Sequence, residues 1–296
     1  MSQNKARLAD LSLLGSTVIW GGTFPVIKLL VGQMTPHYLV GIRFLVGFLA
    51  LTVFCLPRLR RLDGRILKIG TLLGLVLWGG YITQTMGLQY TSASKGGFIT
   101  GLSVVFVPIL SALWLKNPPR PSAVWGVVLA TAGLAFLSLD LSTGFSVEIG
   151  DLLILGSAVL WALQVVIVAR YAPQMDSLLL AWVQIGTVAV AGMIFAGVTE
   201  SPPIEWGASL ILGLLYLAVL ATALSLAVQI WSQKYTSPTR VGIILAMEPV
   251  FATIFARIFL GEVLSAKAVA GCGLVLAGML LAEVSPLERW QEGRSA

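Results

Sequence analysis

The chain has 296 residues, of which 57% are apolar and 11% charged, with a net charge of +6, a pI near 9.5 and a mean hydropathy of +0.92. A soluble domain carries about 25% charged residues, so a soluble globular fold, a disordered chain and a secreted disulfide scaffold are all excluded. Apolar runs of about 20 residues, the length that spans a hydrocarbon core as a helix, follow one another with only short polar breaks.

Ten spans are predicted, at residues 9–30, 37–57, 66–88, 95–115, 121–139, 149–170, 177–198, 207–231, 240–260 and 265–283. The first is a span and not a cleaved leader, because Leu11 to Leu30 is long enough to cross and no small-residue cleavage site follows. Pro25, Pro108 and Pro249 interrupt helix interiors and predict kinks. Gly70/Gly74 and Gly97/Gly101 have the spacing that lets helices approach closely. The fifth and tenth spans have almost no polar interior, which places them away from any pathway, as scaffold or as a homodimer surface.

The basic residues sit in the breaks, where they set membrane orientation, and form no nucleic-acid patch. One side holds Lys5, Arg7, Arg58, Arg60, Arg61, Arg65, Lys68, Lys116, Arg120, Arg170, Lys234, Arg240, Arg289 and Arg294, against Lys28, Lys95 and Lys267 on the other. Both termini are therefore expected in the cytoplasm. Asp140, Glu148, Asp151, Glu200 and Glu205 fall on the opposite side.

The chain repeats itself. At an offset of 145, Tyr90-Thr91-Ser92 falls on Tyr235-Thr236-Ser237, Gln84 on Gln229, Gly97 on Gly242, Gly126 on Gly271 and Gly133 on Gly278. The first helix of each half matches at an offset of 141, with Gly15-Ser16 on Gly156-Ser157 and Trp20 on Trp161. The expected units are residues 1–140 and 141–296. Five spans per half send the second half in from the opposite side, so the predicted fold is an all-α membrane protein of ten helices in two inverted five-helix repeats.

Polar groups inside spans need a partner or a water-filled cavity. Glu248, just before Pro249, is either bonded to a neighbouring helix or a cavity carboxylate that binds a cation or carries a proton. Gln84 and Gln229 are either interhelical glue or a symmetric pair lining a path. Arg43, matched to Gln184, either snorkels outward or contacts an anion. Trp20 and Trp161 stand near mid-span, as packing or as walls for an organic substrate. Thr23, Trp78, Tyr81, Thr100 and Gln164 complete the candidate pathway. His37, the only histidine, sits at a helix start and reads as solvated, and Arg257 reads as snorkelling. Cys55 and Cys272 lie in apolar runs as packing residues, so neither a metal site nor any cofactor is expected. No GxxxxGK[ST], GxSxG or HExxH occurs, which argues against an enzyme.

The stretch Gly87-Leu-Gln-Tyr-Thr-Ser-Ala-Ser-Lys-Gly-Gly-Phe-Ile-Thr-Gly101, continuing to Val-Phe-Val-Pro108, resembles the fourth-helix region of the EamA-like branch of the drug/metabolite transporter superfamily. Trp20-Gly-Gly-Thr-Phe24, Arg43-Phe-Leu45, Glu248-Pro-Val-Phe-Ala252 and Leu260-Gly-Glu262 agree with it. The resemblance implies a central cavity between the halves, lined by helices one to four and six to nine, and acidic family positions at Glu248 and Glu262. Members move amino acids, drugs, nucleotide-type metabolites and other small organics, often outward. The expectation is a secondary transporter of a small amino-acid-like or drug-like metabolite in a bacterial inner membrane. A channel or facilitator for small solutes, and a non-transport membrane subunit, remain the alternatives.

Overall fold

The computed structural model describes residues 3–91, 93–116, 119, 121–138, 148–202, 206–260 and 266–283. Arg120, Asp140, Glu205, Glu262, Arg289 and Arg294 lie outside them, as do the side chains of Lys95 and Cys272. The described residues form helices and no strands. In chain order these are α1 (Gln3–Gly21), α2 (Thr23–Leu30), α3 (Pro36–Cys55), α4 (Gly64–Tyr90), α5 (Ala93–Gly101), α6 (Ser103–Leu115), α7 (Pro121–Ser138), α8 (Ile149–Tyr171) and α9 (Ser177–Thr199). Then come α10 (Ala208–Leu215), a π-helical segment (Tyr216–Leu224), α11 (Ser225–Ser232), α12 (Pro238–Leu245), α13 (Glu248–Leu260) and α14 (Ala266–Glu283). Among the described residues, eight helical stretches are long and apolar enough to cross a membrane. The other two predicted spans form α7 and α14, whose apolar cores, Val124–Gly133 and Val269–Gly278, are shorter.

Three spans are broken, and proline chemistry accounts for two of the breaks. A proline removes one N–H and clashes with the carbonyl four residues back. Four residues before Pro25 is Gly21, where α1 ends, and four before Pro249 is Leu245, where α12 ends. The third break, at Leu102 between α5 and α6, lies six residues before Pro108, which stays inside α6.

Contacts at the two ends of the bundle join residues that the charge pattern assigns to one side. At the basic end, Arg240 meets Asp10 at 2.7 Å and Arg58 meets Asp176 at 3.4 Å. At the other end, Lys28 Nζ donates to the carbonyls of Leu88 and Thr91 at 2.7 and 2.8 Å. There, too, Glu200 at the end of α9 caps the start of α3. Its carboxylate accepts from the backbone N–H groups of His37 and Tyr38 at 3.0 to 3.1 Å, and lies 2.7 Å from His37 Nδ1. The negative charge meets the positive end of the helix dipole. His37 is thus not the solvated residue expected: it is half-buried, bonded to Glu200 and stacked on Phe195.

The fifth and tenth predicted spans pack on each other. A Cβ on Gly133 would stand 2.6 Å from the Gly271 carbonyl, and one on Gly278 would stand 2.6 Å from the Gly126 carbonyl. The contact therefore runs 126 against 278 and 133 against 271, which makes α7 and α14 antiparallel. Elsewhere, Gly70 and Gly74 of α4 seat Val183 and Thr187 of α9. The largest buried cluster joins α3, α4 and α9 through Phe44, Leu73, Leu77, Leu179 and Val188.

Two outcomes follow. Gly133→Ala forces two backbones apart and is expected to cost about 1–3 kcal/mol, as overpacking does. Gly15→Ala, where a Cβ meets nothing within 4 Å, should be neutral or stabilising by about 0.5–1 kcal/mol. Thermal unfolding in detergent compares the two. The second concerns Glu200. Burial alone would raise its carboxyl, but the hydrogen bonds from Thr35, His37 and Tyr38 outweigh that and hold it below its ordinary value of 4.5. A lowered carboxyl adds stability that is complete above the ordinary value and is lost as pH falls through the lowered one. Glu200→Gln is therefore expected to melt earlier than wild type at neutral pH, and the gap to close as pH drops below 4.5.

Candidate functional site

All three helix breaks face one cavity. With its opening to solvent counted, it encloses about 620 Å³. Trp20 and Thr23 flank the break at Gly22, Gly101 and Ser103 flank Leu102, and Leu245 and Glu248 flank the gap between α12 and α13. Irregular backbone at membrane depth is tolerated where it lines a cavity. The remaining walls come from Arg43 of α3, Tyr81 and Gln84 of α4, Gly97 and Thr100 of α5, Trp161, Gln164 and Val165 of α8, Leu226 and Gln229 of α11, and Pro249. None comes from α7 or α14.

Of the candidate residues, Trp20, Thr23, Arg43, Tyr81, Gln84, Thr100, Trp161, Gln164, Gln229 and Glu248 all line this cavity. Trp78 does not. One helical turn from Tyr81, its ring lies 4.7 Å from that of Phe195 on α9. Sequence reasoning read Gly97, Gly101 and Pro249 only as packing or kink positions, and did not propose Ser103, Val165, Leu226 and Leu245 as lining residues. The repeat carries a signal for three of the latter four. At an offset of 145, Tyr81 maps to Leu226, Thr100 to Leu245 and Ser103 to Glu248. With Trp20/Trp161, Thr23/Gln164 and Gln84/Gln229, six repeat-related pairs have both members on the cavity wall.

Arg43 turns inward and does not snorkel. It is 2% exposed. Its Nε donates to Thr222 Oγ1 at 2.7 Å, and its guanidinium carbon lies 4.6 Å from the centre of the Tyr81 ring. A buried cation needs such partners, since taking it out of water costs several kcal/mol. Tyr81 is itself held edge-on by Phe44 and Trp161, at 4.7 and 4.6 Å. Glu248 lines the same cavity, with no ion pair within 4.0 Å to Arg43 and no hydrogen bond to its carboxylate among the described residues. The cavity thus carries a guanidinium and a carboxyl group with no direct ion pair between them.

The amides are ordered. Gln84 Nε2 donates to Thr100 Oγ1 at 3.1 Å. Gln229 Nε2 donates to Gln164 Oε1 at 3.1 Å, and Gln164 Nε2 to Gln184 Oε1 at 3.5 Å. Among the described residues, no group of three or more His, Cys, Asp or Glu is placed to hold a metal ion. Gln164 is the middle of its chain, so Gln164→Leu leaves two buried amides without a partner. Each unsatisfied group costs about 1–3 kcal/mol. In thermal unfolding Gln164→Leu should therefore lose more stability than Gln229→Leu, which strands one partner.

The EamA-like transporter family matches this chain twice, over residues 7–139 and 148–283. An uncharacterized transporter of Archaeoglobus fulgidus is 34% identical over 278 residues, covering 94% of this chain and 86% of its own. The uncharacterized transporter YvbV of Bacillus subtilis is 31% identical, covering 94% and 92%. A solved crystal structure, 19% identical, superposes with a TM-score of 0.78 over 95% of this chain and 97% of that one, a likeness of fold. The family and these relatives are transporters and not enzymes. The chain belongs to the EamA-like transporter family, as a multi-pass membrane transporter.

Proposed function

We propose that the chain is a secondary transporter that carries a small organic solute across the membrane by alternating access, with the cavity between its halves as the substrate site. The observation that carries this reading is the cavity wall itself. Twelve of its positions form six repeat-related pairs, each pair with one member from each half. A site shared in this way is exposed to one side or the other as the halves rock against each other. The antiparallel contact of α7 with α14, with repeat-matched glycines in reversed order, supports ten spans in two inverted repeats. The division proposed is 1–140 and 141–296.

The chemistry of the wall favours an amino-acid-like zwitterion. Arg43 offers planar donors to a carboxylate, Glu248 offers an acceptor to an ammonium, and Trp20, Tyr81 and Trp161 offer aromatic surface to the body of the solute. Glu248 is also the group placed to exchange a proton or cation with the cavity. The Lys and Arg bias favours both termini on the cytoplasmic side; a bacterial inner membrane is the location proposed from the family resemblance and the compact loops, and export is the direction proposed.

Purified protein in liposomes tests the reading with labelled amino acids. Saturable flux is expected, with Arg43→Gln and Glu248→Gln each reducing it at least tenfold while the variants still insert and melt cooperatively. Flux that rises in proportion to concentration, together with single-channel currents, would indicate a channel. No flux of any zwitterion would remove the assignment of Arg43 and Glu248 as its two contacts.

A further inference from the structure

Between α10 and α11 the chain runs in π register for nine residues, Tyr216–Leu224. π-turns inside α-helices occur frequently at functional sites, and this one has an identifiable consequence. The N–H of Ser225 donates to the carbonyls of Leu220 and Thr222, passing over Ala221. The Ala221 carbonyl instead takes the indole N–H of Trp20, at 2.7 Å. The next residue, Thr222, is fully buried and takes the Nε–H of Arg43, also at 2.7 Å. At the start of the segment, Tyr216 donates its hydroxyl to the Ile19 carbonyl at 2.5 Å. One short segment in the second half thus ties down two cavity side chains of the first.

Among the described residues, the other half has no such tie. The repeat maps residues 216–224 onto 71–79, which lie in the regular helix α4, with Leu77 in the place of Thr222. Trp161, the counterpart of Trp20, has a buried indole N–H with no partner. Gln184, the counterpart of Arg43, has a buried amide nitrogen with none. The contrast separates the π segment from ordinary packing that both halves would share.

We propose that the π segment is the positioning element of the ligand site, and that Thr222 is the positioning residue for Arg43. With Nε held by Thr222 and the guanidinium also bonded to Tyr81, the terminal N–H groups left over are those offered to a ligand carboxylate. Thr222 itself touches no ligand in this scheme. The inference rests on the reading of the cavity as the substrate site.

The test uses the full-length protein in detergent and a matched pair of probes, L-phenylalanine and 2-phenylethylamine, which lacks the carboxylate. Thr222→Val keeps the shape and removes the acceptor. It is expected to raise the Kd for L-phenylalanine about tenfold, as losing a hydrogen bond to a charged group does, and to leave 2-phenylethylamine within about twofold of wild type. Thr222→Ser should restore the affinity for L-phenylalanine, and Thr222→Ala should behave as Thr222→Val does. Equal loss of both probes, no loss of either, or failure of the serine variant to restore binding overturns the positioning role. Arg43→Gln separates the two levels. If it weakens L-phenylalanine while Thr222→Val does not, only the positioning role fails. If it binds like wild type, or wild type binds neither probe, the reading of the site fails and the positioning role with it.

Discussion

A single constraint organises this molecule: a charge or amide inside an apolar bundle must be bonded or must face a cavity. Arg43 is its strictest case. The residue sits in the interior, and three separate elements converge on it: the Thr222 hydroxyl from the π segment, the Tyr81 ring from α4, and the cavity with Glu248 on its wall. Tyr81 is in turn fixed by Phe44 and Trp161. Removing the cation would leave the others without their common centre, so the geometry of the cavity is also the geometry of charge burial.

Close packing elsewhere makes that interior affordable to hold open. A cavity lowers stability, because its walls lose contacts on one side. Here the helices that frame it are joined tightly at other places. α7 and α14 approach through repeat-matched glycines and contribute nothing to the cavity wall. α4 meets α9 through Gly70 and Gly74 while its next turns present Tyr81 and Gln84 to the cavity. Scaffold and site are therefore separated between helices in one case and along a single helix in the other.

Helix positions were legible because hydrophobic length is a one-dimensional property: each predicted span falls on described helix, and eight of these stretches are long and apolar enough to cross a membrane. The breaks at Gly21 and Leu245 follow from proline and were readable as kinks. Gln84, Gln229, Trp20 and Trp161 stood out because both halves keep them. What escaped is three-dimensional. Trp78 and Tyr81 are one turn apart, and only the packing of α9 against α4 decides that one meets Phe195 and the other the cavity. The inward turn of Arg43 depends on Thr222, far along the chain. The segment Tyr216–Leu224 reads as an ordinary apolar helix, since no residue in it demands a π register. Leu226 and Leu245 are apolar and show themselves only as the counterparts of Tyr81 and Thr100.

Those unequal counterparts carry the functional argument furthest. A site built from two identical halves would offer the same groups to both ends of a ligand. Here the tryptophans and the two glutamines are kept, but Ser103 answers to Glu248, Thr23 to Gln164, and Arg43 to Gln184. Two of these departures bring in an ionisable group, Glu248 in the second half and Arg43 in the first. The first half contributes the guanidinium and the second the carboxyl group, so the proposed site has a direction along the line joining its halves. A ligand with opposite charges at its two ends fits such a site in one orientation, whereas a neutral or singly charged one leaves a group of the wall unmatched. The backbone follows the same asymmetry, with the π segment bracing Trp20 and Arg43 on one side and a regular helix beside Trp161 on the other. Duplication accounts for the shared frame, and the substitutions within matched pairs give it a polarity that duplication alone could not.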